Sequence, residues 1–116
     1  MTDEDRLRQI FEDYVAAYRA GDADACGRFY AEDVEYMACG MAPIRGRGAI
    51  VALHEDLMRT GYELKSMHTD EIRLSKDLAY VRQTLTGSEG TSHAMLVLRR
   101  EASGDWLVHA EAEVTS

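Results

Sequence analysis

"YVAAYRAGDADACGRFYAEDVEYMACG", residues 14–40, holds two helix signals and a strand signal in close succession. It begins inside an apolar stripe. Leu7, Ile10, Phe11, Tyr14, Val15 and Tyr18 recur at the spacing of one α-helix face. Thr2 or Asp3 can cap that helix, and Asp3, Glu4 and Asp5 suit the positive end of its dipole. Gly21 stops it, because glycine takes up a left-handed conformation at little cost. Asp22 then offers a cap to a second, short helix reaching Tyr30. Gly21-Asp22 is thus a corner between two helices, and Val34-Glu35-Tyr36-Met37 reads as a first short strand.

Residues 38–46 read as a loop holding the single proline, Pro43. A third helix begins near Arg47 or Gly48. It turns Ile50, Leu53, His54, Leu57 and Met58 to one face and ends at Gly61. Past Gly61 the period changes to two. Residues 62–74, 78–86, 92–101 and 106–114 form four strands, with turns between them. Turns this closely spaced make an antiparallel meander. The order ααβαββββ is an α+β arrangement. Three N-terminal helices pack on a strongly curved, mostly antiparallel sheet and make a cone, whose mouth is a natural small-molecule site. The length of 116 residues suits one domain over 1–116.

Acidic residues outnumber basic ones by 21 to 13, for a net charge of −8. Such a surface repels phosphate backbones and anionic lipid, so neither nucleic acid nor a membrane is expected as a partner. No run approaches the roughly 18 apolar residues of a membrane span. The start, MTDEDRLR, has no apolar signal core, and the expected location is the cytoplasm. Cys26 and Cys39 lack CxxC spacing and read as free thiols in a reducing compartment.

The words "YVAAYRAGDADA", "FYAEDVEY", "IRGRGAI", "LAYVRQTLTG" and "GDWLVHAE" follow one another over nearly the whole chain. Together they resemble the nuclear transport factor 2-like superfamily, which includes the SnoaL-like cyclases and ketosteroid isomerase. The resemblance is greatest to its small, uncharacterised members. It implies the cone fold, commonly a dimer through the open sheet face, and either cofactor-independent enzyme activity or a binding or assembly role. The isomerase branch uses a helix-1 tyrosine and a neutral carboxylic acid as an oxyanion hole, with an aspartate as base. Tyr14 stands where that tyrosine would be. The base position is Ala38, and the acid position falls near Met95 or Leu96. The resemblance therefore does not carry the steroid isomerase mechanism.

Candidate chemistry rests on a few side chains. Tyr14 is either a core tyrosine bonded at the pocket edge or a donor to a ligand carbonyl. Tyr18, Tyr36 and Tyr80 carry the same ambiguity. His54, on an apolar helix face, is either a satisfied core histidine or a neutral base whose pKa burial depresses. His109, Glu111 and Glu113 alternate along the last strand, with Trp106, Val108, Ala110, Ala112 and Val114 on the opposite face. Either His109 and Glu111 form an acid/base pair in the cone, or the row faces solvent or a partner. His68 with Asp70, and His93 with Met95, share the same two-residue spacing. If their strands are neighbours, His68, His93 and His109 converge. Arg82 and Gln83 point to opposite faces, so one of them reaches the cavity. Met58, Met95 and Trp106 are further lining candidates, and methionines also serve as ordinary core filling. With no HxH or HExxH word, no metal or other cofactor is expected. The expected ligand is a small apolar or amphipathic molecule, acted on by proton transfer as in isomerisation, cyclisation or dehydration. The alternative is a non-catalytic dimeric binding or assembly module.

Overall fold

The computed structural model describes residues 1–115, and residue 116 lies outside the described residues. Helix α1 spans Asp3–Arg19, α2 Ala23–Gly27 and α3 Arg47–Arg59. The strands are β1 Tyr30–Ala38, β2 Ile44–Arg45, β3 Leu64–Ser75, β4 Leu78–Gly87, β5 Gly90–Arg100 and β6 Trp106–Thr115. They form one open, curved sheet in the order β2-β1-β6-β5-β4-β3. Among the described residues only the β1–β6 pair is parallel.

The helix ends follow from local chemistry. Thr2 caps α1 in a reciprocal box: its Oγ1 accepts from Asp5 N at 3.1 Å, and its own N–H donates to the Asp5 carboxylate at 3.2 Å. At the other end Gly21 sits at φ +72°. Gly21 N donates to Tyr18 O and Asp22 N to Ala17 O, the paired bonds of a Schellman stop. Asp22 Oδ1 then accepts from Ala25 N at 3.0 Å and starts α2. The end of α3 repeats the stop. Gly61 N donates to Met58 O and Tyr62 N to Leu57 O, which fixes Tyr62 beside the helix it follows.

The structure departs from the sequence reading at three places. Helix α2 ends at Gly27, and Tyr30 opens β1 rather than closing a helix. Within the expected loop, Ile44 and Arg45 pair with Tyr36 and Glu35 as a sixth, two-residue strand. The third difference matters most for function. Along β6, Val108 pairs with Leu98 and Ala110 with Val97, so His109 is an extra residue opposite no partner. This β-bulge breaks the two-residue alternation. Trp106 and Val108 point inward before it, and Glu111 and Glu113 point inward after it.

The main core joins Leu7, Ile10 and Phe11 of α1 to Val34, Ile50, Val81, Leu96, Leu98 and Val108. Each such side chain contributes roughly 1.5–3 kcal/mol by leaving water. A smaller cluster of Tyr18, Cys26 and Leu64 closes the other end, with Met58 packed against it. The space between the clusters is not filled.

Candidate functional site

A cavity of about 250 Å³ lies between the inner sheet face and helices α1 and α3. Its apolar walls come from α1 (Ile10, Phe11), α3 (Ile50, Leu53, Leu57) and β3 to β6 (Met67, Leu85, Leu96, Val108). Five of the six tyrosines line it: Tyr14, Tyr18, Tyr30, Tyr36 and Tyr62. The polar groups are concentrated in three hydrogen-bonded pairs.

The first pair is Tyr14 with His54. His54 is 3% exposed, and its Nδ1 lies 2.8 Å from Ile50 O, one turn back on α3. A carbonyl only accepts, so Nδ1 carries the proton and Nε2 is an acceptor. Tyr14 Oη, 2.6 Å from Nε2, therefore donates its proton to the ring. Burial depresses the His54 pKa, with the Ile50 carbonyl opposing it, and burial together with the Glu111 charge pushes Tyr14 well up. Both groups are neutral. The Tyr14 proton is thus directed to His54, and the Tyr14 hydroxyl is also in hydrogen-bond contact with Tyr30.

The second pair is Tyr30 with Glu111. Tyr30 Oη donates to Glu111 Oε1 at 3.4 Å, and both side chains are buried. Burial, then the charge of neighbouring Glu113, pushes the Glu111 carboxyl up to about 8; the Tyr30 hydrogen bond opposes this. The third pair is Tyr36 with Glu113. Tyr36 Oη donates to Glu113 Oε2 at 3.1 Å, and burial followed by the Glu113 charge raises the phenol. Gln83, 3% exposed, also lines the cavity, and its Nε2 has no hydrogen-bond partner among the described residues.

The sequence-predicted residues divide sharply. Tyr14, Tyr18, Tyr36, His54 and Glu111 meet in the cavity. His109 does not accompany Glu111, because the bulge turns it to the other side. There it lies in a surface cleft with its Nε2 3.4 Å from Glu101 and its Nδ1 3.8 Å from Asp33. His68 and His93 lie on the outer sheet face with Met95, in one row across Thr84. Asp70 accepts there from Thr84 Oγ1 at 2.6 Å and contacts His68 Nδ1 at 2.8 Å. So the three histidines do not converge: His68 and His93 flank Thr84 on the outer face, two strands apart, and His109 lies in a separate cleft. Tyr80, with neighbouring Arg82, is not among the lining residues. Trp106 is buried in the core with the Arg100 guanidinium 4.9 Å from its ring centroid, and Met58 fills the smaller core. Among the described residues no cluster of histidine, cysteine and carboxylate has the arrangement of a metal site. None of their helices is long and apolar enough to cross a membrane.

Sequence reasoning missed Tyr30, Tyr62 and the inward face of Glu113. Tyr62 had a readable signal, an aromatic directly after a glycine helix stop. Gln83 had one too: it interrupts the inward alternation Ala79, Val81, Leu85 with an amide.

The fold and its cavity define a small α+β cone. The SnoaL-like domain family matches residues 11–109, and the chain belongs to that family. Among solved structures, an NTF2-like protein with a cystatin-like fold from Novosphingobium aromaticivorans is 26% identical, with 97% of this chain and 81% of that one covered and a TM-score of 0.78. A domain of unknown function with the same fold from Nostoc punctiforme is 18% identical, covering 98% and 77%, with a TM-score of 0.86. A ketosteroid isomerase-like protein from Erwinia carotovora atroseptica is 19% identical, covering 93% and 92%, with a TM-score of 0.75. No curated protein matches the sequence.

Proposed function

We propose that this protein binds a compact, largely apolar molecule in the cone and moves a proton on it without a cofactor. The observation that carries this reading is Glu111, a buried carboxyl inside the cavity whose pKa is pushed to about 8. A carboxylate held this high is a stronger base than an ordinary glutamate and still changes protonation near neutral pH. The reaction follows from its neighbours. The Glu111 carboxylate takes a proton from carbon α to a carbonyl; the C–H electron pair becomes the enolate C=C bond, and the carbonyl π pair moves onto its oxygen. Gln83 Nε2–H, unpaired in the cavity, hydrogen-bonds that oxygen. Return of the proton to the same or a conjugated carbon completes an exchange or isomerisation. The steroid isomerase mechanism is not the one proposed, since Ala38 holds a methyl group where that base would be.

The test is deuterium uptake from D₂O into the α-carbon of acetophenone, followed by NMR. The expected outcome is protein-dependent uptake that rises with pH through about 8 and disappears in Glu111→Gln. Uptake unaffected by Glu111→Gln contradicts the assignment.

The partner in this reading is a second copy against the outer sheet face. Met37, Met95, Val97 and Val114 are 40–54% exposed there, and an apolar patch on a sheet face is a natural contact for another chain. Sedimentation is expected to give twice the chain mass, and Met95→Lys the single mass. A monomer at all concentrations contradicts it. An assembly role without chemistry is the competing reading, and the unfilled cavity favours chemistry.

A further inference from the structure

The walls of the cavity are sorted by charge. Glu89, Glu111 and Glu113 line it, and no lysine or arginine does among the described residues. An anionic guest would meet carboxylates with nothing to compensate them. A neutral guest would leave Glu113 without a counter-charge in a partly desolvated wall, which is costly. The tyrosines add to this asymmetry. The faces of Tyr36 and Tyr62 present negative quadrupoles, and both phenols feel the Glu113 charge. The chain's net charge of −8 draws cations toward the mouth as well.

The register supplies the spacing. Gln83 pairs with Ala94, and Ala94 with Glu113, so the three form one row across β4, β5 and β6. Two strand spacings put Gln83 and Glu113 about 9–10 Å apart at the backbone. The alanine between them keeps the middle of the row low. One end of the row offers an amide N–H with no partner, and the other a carboxylate beside aromatic rings. From this we infer that the guest is a compact organic cation, an amine or quaternary ammonium held at Glu113, with a hydrogen-bond acceptor on its apolar body held at Gln83. The inference rests on the pocket reading above and names the substrate class. A cation so placed also favours the ionised form of Glu111 and so readies the base at neutral pH.

Two probes of one shape separate charge from fit. Phenacyltrimethylammonium carries the cation and the carbonyl, and 3,3-dimethyl-1-phenylbutan-1-one replaces its nitrogen by carbon. Calorimetric titration is expected to give the cation at least about tenfold tighter binding, the order of a partly desolvated cation–π contact together with ion pairing to a half-buried carboxylate. Glu113→Gln keeps an acceptor for Tyr36 and should reduce that preference to about twofold or less, with the neutral ketone bound as before; the ketone thereby reports an intact pocket. Equal affinity for both probes, or a preference that Glu113→Gln leaves unchanged, overturns the cation assignment and spares the pocket. Binding of neither probe overturns both.

Discussion

The two faces of one sheet treat the same side chain in opposite ways. On the inner face, burial and the Glu113 charge push the Glu111 carboxyl up to about 8. On the outer face, Glu71 accepts from Arg73 at 2.9 Å and Arg82 at 3.2 Å, and these bonds hold its carboxyl below the usual range. Asp70 is lowered likewise, by hydrogen bonds from Thr84 and His68. A carboxylate in water with a cation at hand is stabilised as an anion; one enclosed by phenols and aliphatic walls holds its proton. Which face a residue occupies is therefore a chemical decision, and on β6 a single extra residue makes it.

Removing that residue should break the comparison outright. Deletion of His109 restores simple alternation and turns either Glu111 and Glu113 or Trp106 and Val108 to the wrong face. The expected loss is at least ~3 kcal/mol in urea denaturation, at the large end for a point change. A midpoint close to wild type contradicts the bulge. Next comes Glu111→Gln, which keeps an acceptor for Tyr30 but cannot ionise. The folded state of the wild type holds its proton from the ordinary value of 4.5 up to about 8, while the unfolded chain releases it. Wild-type stability is thus lost progressively across that window as pH rises. The Gln variant should match wild type near pH 4 and exceed it at pH 9, by an amount on the order of a few kcal/mol at about 1.4 kcal/mol per unit. A gap that does not change with pH contradicts the shift.

Smaller effects follow. Tyr14→Phe leaves His54 Nε2 without its donor in a buried setting, for about 1–3 kcal/mol by thermal denaturation. No loss would mean that the Tyr14–His54 bond is not formed in solution. Glu71→Gln, on the solvated face, should lower the denaturation midpoint only slightly at neutral pH, because exposed ion pairs add little, and that small deficit should fade in acid as the lowered wild-type carboxyl takes up its proton. A deficit that grows as pH falls, as at a buried carboxyl, would erase the distinction between the faces.

Much of this was legible in the chain itself. The Gly21-Asp22 corner, the Gly61 stop and the turns of the meander are local events, decided by residues within a few positions of one another. So the helices, the order of the long strands and the inward set of α1 and α3 could be read, and Tyr14 and His54 with them. The bulge at His109 could not. No glycine marks it, and "WLVHAEAEV" alternates as well in one frame as in the other. It exists because β5 and β1 both pair with β6, and that constraint is tertiary. The polar row His109, Glu111, Glu113 was accordingly read as one face. The strand at Ile44–Arg45 is two residues long and has no period to detect. Tyr30 follows a helix cap, so local signals extend the helix to it, whereas its strand is made by pairing with a segment 78 residues later.

Everything proposed for the cavity depends on Glu111 being a carboxyl that keeps its proton at neutral pH. That property is tested most directly by following the side-chain carboxyl ¹³C shifts of the glutamates from pH 3 to pH 10. One resonance is expected to titrate near 8 and to vanish in Glu111→Gln. If every glutamate titrates below about 5.5, close to the unperturbed range, the account of the cavity is wrong.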